Sequence, residues 1–284
     1  MLSYSRALSS TLALILSAAA VSNLTAQTAQ QSDTAKRAGK PLFTRDDAYL
    51  ALGFAGLTVA MFPADKALAR RLREPTSSEN KFIAKVTTGS ETLAHPGALI
   101  VSSAAYVVGK VARHPALADV GLHSTESILL ATALTSIVKD VAGRSRPSVS
   151  NGNDPKDFKF GGGFSSGDRK SFPSGHSTTA FAAAASLTSE VKQWYPHATW
   201  IAGPVFYGGA TVVGLSRMYH DKHWASDVAL GAAFGTFSGI KIVRYSHNHP
   251  DNPVDRRLLG VIAGPSAEGG EIVGVSIAWE AGAH

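Results

Sequence analysis

The chain has 284 residues, a formal net charge of +6 and no cysteine. That length suits one large domain, or one domain with appendages, whose core needs neither metal nor disulfide. The missing cysteines exclude a disulfide framework, thiol catalysis and a lipobox anchor, while the positive balance favours anionic partners such as phosphate esters or anionic lipids.

Residues 1–26 read as an export signal. Arg6 gives a positive start, Ala7 to Ala20 is apolar or small, and Ala26 precedes a plausible cut. An uncleaved N-terminal anchor is the alternative. The signal implies an exported, periplasmic protein, with peripheral membrane contact open. Residues 27–45 are mostly polar and irregular and read as a disordered leader.

A helical domain is expected over 46–247. Thr44 with Asp47 makes a capping box. The helix it opens should end near Phe62, with a second, more amphipathic helix after Pro63 running to Leu72. A short helix is expected near 79–88, closed by Gly89, and another over 97–112, closed by His114-Pro115. Ser124 should cap the next, which runs to about Val141 and ends at Gly143. Residues 148–172 are rich in Gly, Ser, Asn and Asp and read as a long loop over a site. Helices follow from Ser174 to about Lys192, over 198–214, and from Trp224 to about Arg244. The last carries Gly231, Gly235 and Gly239 at every fourth position, which reads as a packing ridge. The tail, 248–284, is expected to hold a β-hairpin from Leu258 to Ala263 and Ile272 to Trp279.

Mean hydropathy is +0.04. The apolar runs stop at a charge or proline after roughly 12 to 18 residues, short of a full span. Small-residue helices buried on one another fit this pattern better than six lipid-embedded spans.

Three stretches carry chemistry. Lys139 is followed after six residues by Arg146-Pro147; then comes Pro173-Ser174-Gly175-His176; then Ser216-Arg217, five residues, His223, three residues and Asp227. Lys139, Arg146 and Arg217 are fixed cations suited to the oxygens of a phosphoryl group. Ser174 and Gly175 open a helix whose first N–H groups can face an anion. His223 and Asp227, at i and i+4, share a helix face, so Asp227 can accept the Nδ1 proton and leave Nε2 free. A second histidine, His176, can protonate a leaving alkoxide. Arg144, off the motif, is a supporting or substrate-contact residue.

His220, Asp221, His223 and Asp227 could be taken for a metal cluster, but three neighbouring cations would compete with a divalent ion. No metal or other cofactor is expected. His247 and His249 read as solvated. The basic residues form no long run and no interleaving with aromatics, so no nucleic-acid partner is expected.

In order and spacing these residues resemble the type 2 phosphatidic acid phosphatase superfamily, which includes class A acid phosphatases, lipid phosphatases and vanadium haloperoxidases. The resemblance covers Lys139 to Asp227, with no departure at a motif position. It implies an all-α helical bundle and metal-independent hydrolysis of a phosphomonoester or a lipid phosphate or pyrophosphate. His223 would be the nucleophile, Asp227 its orienting carboxylate and His176 the acid. Lys139, Arg146, Ser174, Gly175 and Arg217 would hold the phosphate. Two alternatives stand beside it: a vanadium haloperoxidase, for which the chain is short, and a non-catalytic phosphate- or lipid-binding protein.

Overall fold

A computed structural model describes residues 42–72, 81–149, 152–249 and 252–259, all within one unit, Pro41–Gly260. The expected signal, the leader up to residue 41 and most of the C-terminal hairpin lie outside the described residues. Leu258, expected to open a strand, instead closes a helix. Among the described residues there is no strand, only an isolated bridge between Arg144 and Phe158.

The helices in chain order are α1 (Arg45–Leu72), α2 (Lys81–Thr92), α3 (Ala98–Val111), α4 (Pro115–Ala142), α5 (Gly175–Trp194), α6 (Thr199–Tyr219), α7 (Ala225–Asn248) and α8 (Pro253–Leu258). Several starts follow from local chemistry. Thr44 N–H donates to Asp47 Oδ2 at 2.6 Å and opens α1 as the capping box requires. Ser174 caps α5 through the N–H of Ser177. Gly143 closes α4 at φ 59°, a left-handed turn suited to glycine, with its N–H on Lys139 O.

Three expected boundaries were displaced. α1 runs straight through Pro63, because a proline removes one ladder bond while the neighbouring turns hold the helix. α2 continues past Gly89 to Thr92, and the break falls at His95, which is extended (φ −149°, ψ 116°) ahead of Pro96. α4 begins at Pro115, not Ser124. His114 caps it by accepting the Leu117 N–H, and Pro115 takes the first turn, where its missing donor costs nothing. Ser124 is a fully buried interior residue hydrogen-bonded to Ser186 of α5 at 2.9 Å.

The interior is built from small side chains. Ala131, Ala182 and Ala185 are completely buried, and buried hydroxyls pair across helices, as in Thr135 with Thr178 at 3.0 Å. The expected glycine ridge lies on α5: a Cβ at Gly231 would sit 2.6 Å from Ser174 O, at Gly235 2.3 Å from Thr178 O, and at Gly239 2.6 Å from Ala185 Cβ. α3 and α4 meet as closely, since a Cβ on Gly121 would fall 2.1 Å from Tyr106 N.

The large apolar side chains face outward. Leu52, Val59, Ile100, Ile137, Val205 and Trp200 are all exposed. Three helical stretches are long and apolar enough to cross a membrane: Arg45–Leu72, Thr87–Val111 and Pro196–Tyr219, with only 11%, 11% and 17% of their apolar windows buried. The runs that look too short in sequence are joined by helix that continues through Pro63 and Pro204 and by α2–α3 crossing the His95 bend.

Gly235→Val puts a side chain into the α5 backbone and is expected to cost at least about 1–3 kcal/mol. Gly208→Ala, where nothing lies within 4 Å, should be neutral or slightly stabilising. Thermal unfolding of the two variants checks the contrast.

Candidate active site

The ends of four helices and one loop meet at one end of the bundle. α4 ends at Lys139 and Gly143; the loop 143–174 returns; α5 starts at Ser174; α6 ends at Arg217; the turn 220–224 carries His223 into α7. Backbone bonds tie these segments together. Ser174 N–H donates to Asp227 O at 2.9 Å, Ser171 N–H to Arg144 O at 3.1 Å, and His223 N–H to Arg217 O at 3.3 Å.

Arg144 is the centre of this arrangement. Its guanidinium is wholly buried and binds Asp227 Oδ1 at 2.5 Å, Asp65 Oδ2 at 2.7 Å, Ser226 Oγ at 2.7 Å and Pro155 O at 2.6 Å. Phe62, Phe158, Phe172 and Trp224 surround it with ring centroids 4.9–5.7 Å away. Of the two roles its sequence position allows, substrate contact and support, only support fits this burial. Asp65 from α1 accepts from Ser226 N–H and Oγ at the start of α7. Nothing local in the sequence points to Asp65.

Asp227 is fully buried and saturated. It takes the Trp224 N–H at 2.8 Å, the Ser171 hydroxyl at 2.5 Å and Arg144. His223 precedes α7 and is not on its face, because Trp224 is the cap. Its Nδ1 lies 2.7 Å from the carbonyl of Ser171 and 3.6 Å from Asp227 Oδ2. The expected acceptor is therefore displaced: the Ser171 carbonyl takes the Nδ1 proton, and Asp227 holds Ser171 and the turn. A carbonyl acceptor requires a proton on Nδ1, so Nε2 carries the lone pair. Burial, followed by the positive charge of Lys139 and Arg217, pushes the His223 pKa down to about 3, although Asp227 opposes the shift.

Lys139, Arg146 and Arg217 lie near enough to repel one another. Lys139 Nζ donates to Lys170 O at 2.8 Å and to Pro173 O beside the α5 start. Burial, with Arg146 and Arg217 nearby, lowers its pKa to about 8 against the pull of Asp227. Arg217 pairs through NH1 with Glu91 Oε2 at 2.5 Å. Glu91 also meets His220 Nδ1 at 2.8 Å and Ser216 Oγ at 3.0 Å. Nε of Arg146 and Nε of Arg217 are buried donors with no hydrogen-bond acceptor among the described residues. A Cβ on Gly175 would meet only Lys139 Cε, at 3.6 Å. His176, half-buried on the first turn of α5, has its ring 5.4 Å from that of His95. Burial and Arg217 lower its pKa to about 4.

Residues that could be taken for a metal cluster are used otherwise. His220 is engaged by Glu91, and His223 and Asp227 by Ser171, Trp224 and Arg144. Glu91 and His95 escape the sequence reading. Their signal is a charged residue and an X-Pro kink within an otherwise apolar stretch. His247, expected to be solvated, instead contacts both oxygens of buried Glu190 at 3.1 Å, while His249 is exposed and stacks on Tyr245.

Removing one member of the Asp65–Arg144–Asp227 set leaves the others buried and unpaired. Arg144→Met and Asp65→Asn are each expected to lose about 3–5 kcal/mol of stability, readable as a fall in unfolding midpoint.

Residues 121–251 match the PAP2 superfamily. A stretch of 72 residues is 43% identical to a lipid A 1-phosphatase from Porphyromonas gingivalis, covering 24% of this chain and 15% of that relative. The match therefore spans only a small part of the relative's length. The solved structure of a transmembrane PAP2-type phosphatidylglycerolphosphate phosphatase from Bacillus subtilis is similar in fold, with a TM-score of 0.50 at 20% identity over 70% of this chain and 94% of that one. The matched segment, residues 121–251, contains every motif residue from Lys139 to Asp227, so this part of the chain is similar to the PAP2 superfamily.

Proposed function

We propose that the protein is a phosphoric ester hydrolase that removes phosphate from a lipid phosphate or pyrophosphate, without a metal, through a phosphohistidine on His223. The observation that carries this reading is the imidazole of His223, its Nδ1 2.7 Å from the Ser171 carbonyl and its ring set near Lys139 and Arg217. The phosphate would sit on Lys139, Arg146, Arg217 and the first N–H groups of α5 at Ser174 and Gly175. The open space above Gly175 and the unsatisfied Nε donors of Arg146 and Arg217 support that placement.

In this mechanism the Nε2 lone pair of His223 attacks phosphorus and the P–O bond to the leaving alkoxide breaks. His176 gives that oxygen its proton. Water then attacks the phosphohistidine, the P–N bond breaks, and His176 accepts the proton of the water. In the free protein His176 is neutral near pH 7. Its proton therefore arrives with the substrate monoanion, or is taken up once phosphate offsets the surrounding positive charge. Asp227 contributes by holding Ser171 and the turn that aims the ring.

The lipid assignment rests on the surface. Large apolar side chains point outward and small or hydroxyl side chains inward, the pattern expected when the solvent around the helices is lipid. The site lies at the helix ends, where a bilayer would place phosphate headgroups. Trp200, at the opposite end of α6, and Phe160 and Phe164, in the site loop, are exposed aromatics of the kind that sit at such boundaries. The pattern in residues 1–26 supports an exported, periplasm-facing site. The relative named lipid A 1-phosphatase makes lipid A phosphates the first substrates to try.

The test is turnover in detergent with excess chelator against a lipid A phosphate, a phosphatidic acid, an isoprenyl pyrophosphate and a small monoester. Lipid phosphates should be cleaved at least about tenfold better than the small ester, a difference of about 1.4 kcal/mol. His223→Ala should lose about 10³-fold or more of kcat while unfolding normally. A near-normal rate in that variant would overturn the mechanism. Lys139 supplies a second, independent check. Because its pKa is about 8, its charge is lost as pH rises through that value, and kcat/KM should fall on the same limb. Lys139→Arg should move the limb to higher pH.

A further inference from the structure

A second cluster of titratable side chains lies at the other end of the bundle. His123 on α4 is sixteen residues before Lys139, about 24 Å along the helix. Glu190 on α5 is fourteen residues after His176, about 21 Å away. His247 is on the last turn of α7. His123 Nδ1 lies 2.5 Å from Glu190 Oε1, and His247 Nε2 lies 3.1 Å from both Glu190 oxygens. One donor atom from each of the three falls within 4.8 Å of the others. His123 and Glu190 are almost completely buried, and the half-buried His247 leaves one approach from outside. The remaining ring nitrogen of His123, Nε2, is buried, makes no hydrogen bond among the described residues, and lies 3.5 Å from Asp255 Oδ2. Glu126 is also within reach of His123 and Asp255.

We propose that His123 Nδ1, Glu190 and His247 Nε2 hold a divalent cation of the zinc class. Two imidazole nitrogens and one carboxylate form a three-residue set that zinc accepts, with water in the fourth position. Magnesium and calcium prefer oxygen-only shells. Bonds of about 2.0–2.1 Å at tetrahedral angles put donor atoms about 3.3 Å apart. The donors present at 2.5 and 3.1 Å need to separate by less than an ångström. Binding through Nδ1 puts the His123 proton on Nε2, facing Asp255, the carboxylate that orients a ligating imidazole from behind. Asp255 belongs to α8, so the ion would fasten this short helix to the bundle. The Tyr106 hydroxyl on Leu258 O at 2.7 Å and Lys110 on Leu259 O hold the same segment.

The experiment uses the full chain in detergent, stripped with chelator and titrated with zinc against a chromophoric competitor, with unfolding followed in parallel. One zinc per chain is expected to bind and to raise the unfolding midpoint by several degrees, with no such effect from magnesium. His247→Gln and Glu190→Gln should weaken that binding at least about tenfold, and Asp255→Asn by about tenfold. Both His247→Gln and Asp255→Asn keep the fold within reach, since neither removes the buried His123 ring. Wild-type protein that is folded but takes no zinc would overturn the proposal and leave the cluster as a proton-bridged network. Equal zinc affinity in wild type and His247→Gln would also overturn it, by placing the ion elsewhere, such as at the His95–His176 pair. Phosphatase turnover of the stripped chain reports on the catalytic site alone, so the two readings fail separately.

Discussion

One buried guanidinium organises the candidate-site end of this protein. Arg144 sits where water cannot reach it, and such a charge is tolerable only when every donor is used. Its partners come from three places in the chain: Asp65 on α1, the Pro155 carbonyl in the long loop, and Ser226 with Asp227 at the start of α7. The left-handed turn at Gly143 directs it inward, where a Cβ would strike Lys159 O at 1.9 Å. Four aromatic rings then close over the ion pairs and remove competing solvent. The consequence reaches the chemistry through Asp227, which fixes the Ser171 hydroxyl and the Trp224 N–H, while the Ser171 carbonyl fixes His223. A chain of hydrogen-bonded residues thus links the imidazole to α1.

The packing of the bundle follows another constraint. Helices that contact each other through Gly, Ala, Ser and Thr can approach until backbones nearly touch, as Gly235 and Thr178 do. In water such an interior would bury little apolar area, because the leucines, isoleucines and valines largely face outward. In a lipid surround no hydrophobic drive is needed, and close van der Waals contact with paired hydroxyls holds the helices together. The same logic explains why Pro63 and Pro204 do not end their helices, since lost ladder bonds can be compensated within a tight bundle.

The candidate site residues are legible in the sequence because they lie at helix ends, and helix ends leave strong marks. Ser174 and Gly143 sit where capping rules put them, and Ser216-Arg217 lie near the end of α6. Partners contributed from distant sequence are not legible. Asp65 lies 79 positions from Arg144, and Glu91 lies 125 from Ser216. His223 Nδ1 meets the Ser171 carbonyl at 2.7 Å, with Asp227 Oδ2 farther off at 3.6 Å, because Trp224 caps the helix between the two residues and they do not share a helical face. His247 is misjudged for a similar reason: its context along the chain is uninformative, while Glu190 reaches it from α5.

The cations of the candidate site are not equivalent. Lys139 is held by two carbonyls, so it offers charge without being neutralised. Arg217 is already paired with Glu91, which also ties His220 and Ser216. Its Nε has no acceptor among the described residues, while NH1 belongs to Glu91. Glu91 thereby fixes the orientation of the guanidinium. Because Glu91 is on the apolar stretch Thr87–Val111, a largely exposed helical segment is tied directly to Arg217, one of the cations that His223 faces.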